Sequence, residues 1–258
     1  MENKKIVVGN LKMNMTVDEI STYLKEVNSK IYSPRVIICP TSIYIPYFLK
    51  HRYKVGVQNV FFRSSGAYTG EISPEQVSSM GVNYVIIGHS ERRMYFDEND
   101  TTINKKIHEA VKHNLKVIVC IGETSEEKNL LKTDRVLKRQ LMNGLKGLDE
   151  TMFDNIIIAY EPVWAIGTNV VPTSKEIKDT VDYIKMIVNN IYNGFNVNVL
   201  YGGSVNDKNI KELNKIENLG GFLVGGASNN AEKFLKIIEE VVVNQWLFFT
   251  KNDIYRQN

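Results

Sequence analysis

Residues 156–168 read IIIAYEPVWAIGT. Three consecutive isoleucines, Ala159 and Tyr160 make a short apolar run without alternation, the pattern of a strand covered on both faces. Strands of that kind belong to parallel sheets flanked by helices, so this run points to an α/β fold. Glu161 follows at once, and Pro162, which has no backbone N–H, ends the ladder. An apolar segment, Val163 to Ile166, and then Gly167 come next. A carboxylate at the exit of a buried strand, followed by an apolar flap, has the makeup of a base under a lid. Taken alone, the stretch suits a surface carboxylate at a turn equally well.

Similar runs recur on both sides of it. The predicted strands are Lys5–Leu11, Arg35–Cys39, Lys54–Gln58, Tyr84–Gly88, Lys116–Ile121, Ile156–Glu161, Asn196–Gly202 and Gly221–Gly225. Helical segments separate them. Thr16 and Glu19 form a capping box, after which Val17, Ile20, Leu24, Val27 and Ile31 recur at helical steps. Ser73-Pro74-Glu75-Gln76 opens another helix with Pro at its first position. Ile103, Ile107, Ala110 and Val111 line a later one that Asn114 terminates, and Phe234, Ile237, Ile238 and Val241 line the last. Eight strand–helix units without a Pro/Gly/Ser-rich linker predict a closed (β/α)8 barrel, eight parallel strands with an outer ring of helices. Residues 1–244 are expected to form this single domain, and 245–258 an extension to which no role is assigned. An open doubly wound sheet would show a glycine-rich dinucleotide turn, and neither G-x-G-x-x-G nor a P-loop occurs.

Composition is that of an ordinary globular chain: 258 residues, 43% hydrophobic and 24% charged. A net charge of +3, evenly spread, argues against nucleic acid or membrane surfaces as partners. The start, MENKKIVVGN, has no apolar core of a signal peptide, and no run is long enough to span a bilayer. Cys39 and Cys120 fall inside predicted strands and read as buried thiols of a reducing compartment, which places the protein in the cytoplasm. The sequons at Asn14 and Asn99 are then chance matches.

In a barrel of this kind the loops after the strands carry the chemistry. Reactive residues collect there. The first strand runs into Asn10-Leu11-Lys12-Met13-Asn14, the fourth into His89-Ser90-Glu91, and the sixth into Glu161. The seventh and eighth run into Gly202-Gly203-Ser204 and Gly225-Gly226-Ala227. Singly, Lys12 is a solvated amine, His89 a structural histidine, and a glycine pair a turn; together at one end of one barrel they make a site. The two glycine loops leave backbone N–H groups uncovered, a cradle for a phosphate dianion, and a lysine nearby adds positive charge. A carboxylate, an imidazole and an ammonium group around a small phosphorylated substrate suit proton abstraction beside a carbonyl. His51, His108 and His113 are expected on helices or their ends, facing solvent, and no metal constellation is seen.

These residues resemble the triosephosphate isomerases over nearly the whole chain, from Ile6 to about Glu240. Gly9-Asn10-x-Lys12-Met13-Asn14, Gln58-Asn59, residues 66–71 (GAYTGE), residues 88–93 (GHSERR) and residues 120–124 (CIGET) match in order. So do residues 160–168 (YEPVWAIGT), 201–205 (YGGSV) and 223–228 (LVGGAS). The resemblance implies the TIM barrel fold and cofactor- and metal-free interconversion of dihydroxyacetone phosphate and D-glyceraldehyde 3-phosphate. It makes Glu161 the base, His89 a neutral electrophile, Lys12 the balancing charge, and Asn10 a hydrogen-bond partner of substrate oxygen. Glu91 would hold Lys12, Ser90 would contact the resting base, and the backbone of Gly167, Ser204, Gly225 and Gly226 would bind phosphate. The loop from Ser64 to Ser73, with Thr69 near its tip, would dock beside Met13 of a second subunit in a homodimer.

Three features depart from the family pattern. Asn169-Val170-Val171-Pro172 is a stiffer lid hinge than small residues would make, so altered lid kinetics are expected. Leu11 stands where the family usually has an aromatic residue. Trp246, Leu247, Phe248 and Phe249 give the tail an apolar character. Two alternatives to the isomerase remain: a phosphosugar enzyme using Lys12 as a Schiff-base nucleophile, and a barrel that binds phosphorylated metabolites without catalysis.

Overall fold

Each apolar run becomes a strand, and the strands close on themselves. The computed structural model describes residues 5–168, 170–192 and 194–242. Within it β1 (Ile6–Asn10), β2 (Val36–Cys39), β3 (Lys54–Val57), β4 (Tyr84–Ile87), β5 (Lys116–Ile121), β6 (Ile156–Tyr160), β7 (Asn198–Tyr201) and β8 (Gly221–Val224) pair in sequence order. All pairs are parallel, and β8 returns to β1 with Val8 opposite Leu223, so the barrel has no free edge.

Outside lie α1 (Val17–Asn28), α2 (Ile45–Phe48), α3 (Pro74–Ser79), α4 (Ser90–Tyr95), α5 (Asp100–Lys112) and α6 (Ser125–Asn129). They continue with α7 (Thr133–Gly144), α8 (Glu150–Phe153), α9 (Ser174–Ile191), α10 (Ile210–Leu213) and α11 (Ala231–Val242). Their starts follow the predicted caps. Thr16 N–H donates to Glu19 Oε2 (2.7 Å), and Ser73 Oγ accepts from the N–H groups of Glu75 and Gln76. Asn114 ends α5 in the left-handed conformation, φ 60°. The buried face of α1 differs from expectation at its first position: Val17 is exposed, and Tyr23 joins Ile20, Leu24 and Val27.

The lack of alternation in the strands has a direct cause. Val8, Ile37, Ile86, Ile118, Ala159, Leu200 and Leu223, with Cys39 and Cys120, fill the barrel's interior. Their neighbours, such as Val7, Ile38, Val85, Val119, Ile158 and Phe222, pack outward against the helices, joined by the buried Leu11. Both faces of every strand but β3, which has Gly56 between the outward-packed Val55 and Val57, therefore carry apolar side chains. Several strands end one residue earlier than predicted, at Asn10, Val57, Ile87, Tyr160, Tyr201 and Val224. The next residue keeps one backbone tie in three of these cases: Leu11 N–H donates to Cys39 O (3.1 Å), Glu161 N–H to Ile121 O (2.7 Å) and Gly202 N–H to Tyr160 O (2.8 Å).

Asn169, on which the stiff-hinge expectation partly rests, and the extension 245–258 lie outside the described residues. Two histidines depart from expectation. His51 is exposed, but His108 and His113 are half-buried, bonded to Lys146 O (2.9 Å) and Glu109 Oε1 (3.3 Å) respectively, because each finds a partner on its inner side. Among the described residues no helix is long and apolar enough to cross a membrane.

One side chain from the last helix locks the first strand. Phe234 is fully buried, and its ring lies where a Cβ at Gly9 would be, 2.7 Å away. Phe234→Ala is expected to lower the unfolding free energy by ~3–5 kcal/mol through the cavity it leaves. Urea denaturation measures this, and a loss below ~1 kcal/mol would show that the ring is not packed as described.

Candidate active site

The first strand delivers a lysine in a constrained backbone conformation. Lys12 has φ 53°, the left-handed region, which costs an ordinary residue ~1–3 kcal/mol. Three contacts hold it there. Its N–H donates to Asn10 Oδ1 (3.1 Å), and its carbonyl accepts from Thr41 Oγ1 (2.9 Å) and Gln58 Nε2 (2.8 Å). The ammonium then reaches Glu91 Oε1 at 2.5 Å. Gly225 leaves room for this chain: a Cβ there would sit 3.3 Å from Lys12 Cε.

The fourth strand turns at Gly88 (φ 75°), whose carbonyl accepts from Arg93 Nε (3.0 Å). The same guanidinium bonds Asp100 (2.7 Å) and Cys120 O (3.3 Å), joining the ends of β4 and β5. His89 caps α4. Its Nδ1 accepts the N–H of Glu91 (3.2 Å), so this bond assigns the proton of a neutral ring to Nε2. That Nε2 lies 3.3 Å from Glu161 Oε1.

Glu161 is seated by glycines. A Cβ at Gly122 would fall 1.8 Å from the Glu161 carbonyl oxygen, and one at Gly202 would fall 2.8 Å from its Cγ. Gln140 clamps Gly122 from α7, accepting its N–H (2.9 Å) and donating to its carbonyl (3.1 Å). The carboxylate is 3% exposed, and its Oε2 has no hydrogen-bond partner. A buried carboxylate oxygen without a donor is costly, so the position has to be held by the surrounding backbone. Burial, and then the charge and hydrogen bonding of Glu161, push the Cys120 thiol well above its ordinary pKa and keep it neutral.

The flap rests on a second buried carboxylate. Glu123, 1% exposed, accepts from Trp164 Nε1 (2.7 Å) and Tyr160 OH (3.2 Å), while its carbonyl accepts from Val163 N–H (3.0 Å). Burial, and then this carboxylate, push the Tyr160 phenol far above its usual range. On the other side, Ser204 Oγ donates to Ala165 O (2.6 Å), so the flap touches the loop after β7.

Asn10, Lys12, His89, Glu161, Gly167, Ser204, Gly225 and Gly226 line one cavity of 590 Å³ at the carboxyl ends of the strands. Glu91 stands behind Lys12, as expected of it. Ser90 is buried at the start of α4, yet it is not bonded to Glu161, because the carboxylate is turned toward His89 instead. Thr69 and Met13 lie away from the cavity on the surface. Sequence reasoning assigned no role to Glu123, Gln140 or Arg93, nor to Asn206, Lys208 and Lys233 on the cavity wall. Gln140 had a signal, a lone polar residue on the apolar stripe of Val136, Leu137 and Leu141. The wall residues had none.

Fold and site together define a (β/α)8 barrel enzyme whose acid–base groups stand at the carboxyl ends of separate strands. A family model described as triosephosphate isomerase matches residues 5–241. A Clostridium botulinum (strain Langeland) protein named triosephosphate isomerase is 45% identical over 243 residues, covering 90% of this chain and 98% of its own. A Thermodesulfovibrio yellowstonii protein of the same name is 46% identical over 245 residues, covering 92% and 99%. One from Clostridium tetani is 41% identical over 244 residues, covering 91% and 96%. The chain belongs to the triosephosphate isomerase family.

Gly202→Ala tests the seat of the carboxylate. The new methyl group must displace Glu161 Cγ, and a base moved by ~1 Å loses on the order of 10²-fold in rate. Steady-state kinetics should show turnover falling steeply while KM changes little; unchanged turnover would mean that Glu161 is not the group being positioned.

Proposed function

We infer that the chain interconverts dihydroxyacetone phosphate and D-glyceraldehyde 3-phosphate by proton transfer through an enediolate, in glycolysis and gluconeogenesis. The observation that carries this reading is the 3.3 Å approach of Glu161 Oε1 to His89 Nε2 in a cavity that also holds Lys12. Glu161 takes the proton from one carbon and returns it to the next. His89, protonated at Nε2, donates to the substrate's carbonyl and hydroxyl oxygens in turn. Lys12, already paired with Glu91, is a fixed positive charge that offsets the enediolate and the phosphate.

Asn10 has committed Oδ1 to the backbone of Lys12, which leaves its amide NH₂ for a substrate oxygen. The backbones of Gly167, Ser204, Gly225 and Gly226 hold the phosphate, where no side chain at the three glycines covers the N–H groups. The flap over residues 163–168 excludes water, which protects the enediolate from losing its phosphate. No cofactor or metal enters this chemistry. The Lys12–Glu91 pair also weighs against the Schiff-base alternative, since a paired ammonium is a poor nucleophile.

Residues 1–244 act as one domain in this reading, and the protein works in the cytoplasm as a homodimer. Met13 is 90% exposed, and Ile43, Tyr95 and Phe96 are exposed as well, apolar surface that a second subunit would cover. The loop from 64 to 73 is braced by Phe61 N–H on Ile72 O (2.8 Å) and by the rings of Phe61 and Tyr68, 4.7 Å apart. It presents Thr69 at its tip. No partner other than the triose phosphate and a second copy is invoked, neither nucleic acid nor membrane.

A coupled assay with D-glyceraldehyde 3-phosphate tests the activity, with Glu161→Asp as its control. Shortening the base should lower kcat by on the order of 10²-fold while KM moves by no more than a few-fold. A change confined to KM would contradict the role of Glu161. Sedimentation should return twice the chain mass, and a fully active monomer would refute the homodimer.

A further inference from the structure

A lysine outside the cavity touches the start of the flap and the helix that follows it. Lys128, in α6, places Nζ 3.3 Å from the centroid of the Trp164 indole. The same ammonium lies 3.6 Å from Glu176 Oε1. Trp164 stands at the start of the flap, and Glu176 is in the first turn of α9, the helix that begins where the flap's return segment ends. Glu176 is not a loose surface carboxylate. Its Oε2 accepts from the backbone N–H and the hydroxyl of Thr173 (2.8 and 2.9 Å), which closes the capping box of α9. The indole is held at its edge as well, by Glu123, so the ammonium on its face completes a fixed setting. In this conformation the flap also touches the loop after β7 through Ser204 and Ala165.

An exposed ion pair alone does little for a protein. A cation seated on an aromatic face is a stronger contact, and this one belongs to a segment whose position is proposed to govern catalysis. Any rotation at residues 163–164 that lifts the flap moves the indole away from Nζ. A contact present in the docked conformation and lost on opening biases the equilibrium between them.

We propose that Lys128 is a positioning residue that clasps the start of the flap to the helix after it, through Trp164 and Glu176, and favours the flap's docked conformation over bound phosphate substrate. This rests on the isomerase reading above and adds a residue to it. Substrate affinity scales with the fraction of molecules able to close, so loss of the clasp appears as weaker binding rather than slower chemistry. The class of ligand affected is any phosphate monoester that occupies the cradle.

The test uses the full-length protein carrying Trp246→Phe, which leaves Trp164 as the single indole of a chain with two tryptophans. Into it are placed Lys128→Met, which keeps the stem and removes the charge, and Lys128→Arg, which restores charge and stacking. Glycerol 3-phosphate, which has no carbonyl to react, is titrated against Trp164 emission, and the isomerisation of D-glyceraldehyde 3-phosphate is measured in parallel. Lys128→Met should raise Kd and KM about three- to tenfold, the range a cation–π contact supports, with kcat within about twofold. Its emission in the absence of ligand should differ from that of the parent, and Lys128→Arg should return all of these values. A methionine variant that binds and turns over like the parent overturns the clasp, as does a fall in kcat at unchanged KM or a failure of arginine to rescue. A parent without isomerase activity would instead overturn the isomerase reading, so the two failures are distinguishable.

Discussion

A carboxylate withheld from water at the exit of a buried strand is the constraint on which the rest of the molecule depends. Glu161 is 3% exposed and keeps one oxygen without a donor, a state that an isolated loop could not maintain. It persists because backbone surrounds it. The carbonyl of Ile121 fixes its N–H, Gly122 and Gly202 leave the space it occupies, and Gln140 prevents Gly122 from relaxing. These ties come from the end of β5, the end of β7 and helix α7, so the site is as rigid as the barrel.

The barrel accounts for how distant parts of the chain meet. Parallel strands all point their carboxyl ends the same way, and closure brings β1, β4 and β6 around one opening. Lys12, His89 and Glu161 thereby share a cavity although 149 residues separate the first from the last. The surrounding contacts divide the labour. Thr41, Gln58 and Asn10 hold the lysine's strained backbone, α4 sets the protonation of the imidazole, and Glu123 carries the start of the flap. Apart from Asn10, whose amide NH₂ is left for a substrate oxygen, none of these supporting groups needs to touch substrate.

Much of this was legible in the amino-acid sequence, for physical reasons. The strands announced themselves because residues buried on both faces leave no polar alternation, and the caps at Thr16 and Ser73 because unpaired N–H groups at a helix start call for an oxygen. The reactive residues stood at strand ends, where a barrel collects them. What escaped was whatever depends on geometry across the fold. Gln140 stood out as a polar residue on an apolar stripe, but nothing said that it would clamp Gly122, and Lys106, in a stripe of Ile103, Ile107 and Ala110, gave no hint that Glu98 and Asn59 would bury it. Val17 fitted the helical period but fell at the first turn, before α1 reaches the barrel. That the carboxylate of Glu161 turns toward His89 was not legible either, because side-chain orientation, unlike strand order, has no signature in one chain.

In the proposed reaction a single carboxylate carries a proton between two adjacent carbons of a triose phosphate. Isomerising dihydroxyacetone phosphate in deuterium oxide and reading the aldehyde product by proton NMR tests it most directly. A proton lodged on Glu161 exchanges with solvent, so deuterium should appear at C2 of D-glyceraldehyde 3-phosphate. A product formed at the enzymatic rate with no deuterium at that carbon would mean that the migrating hydrogen never reaches an exchangeable group, and would contradict proton transfer through a solvent-exchanging carboxylate.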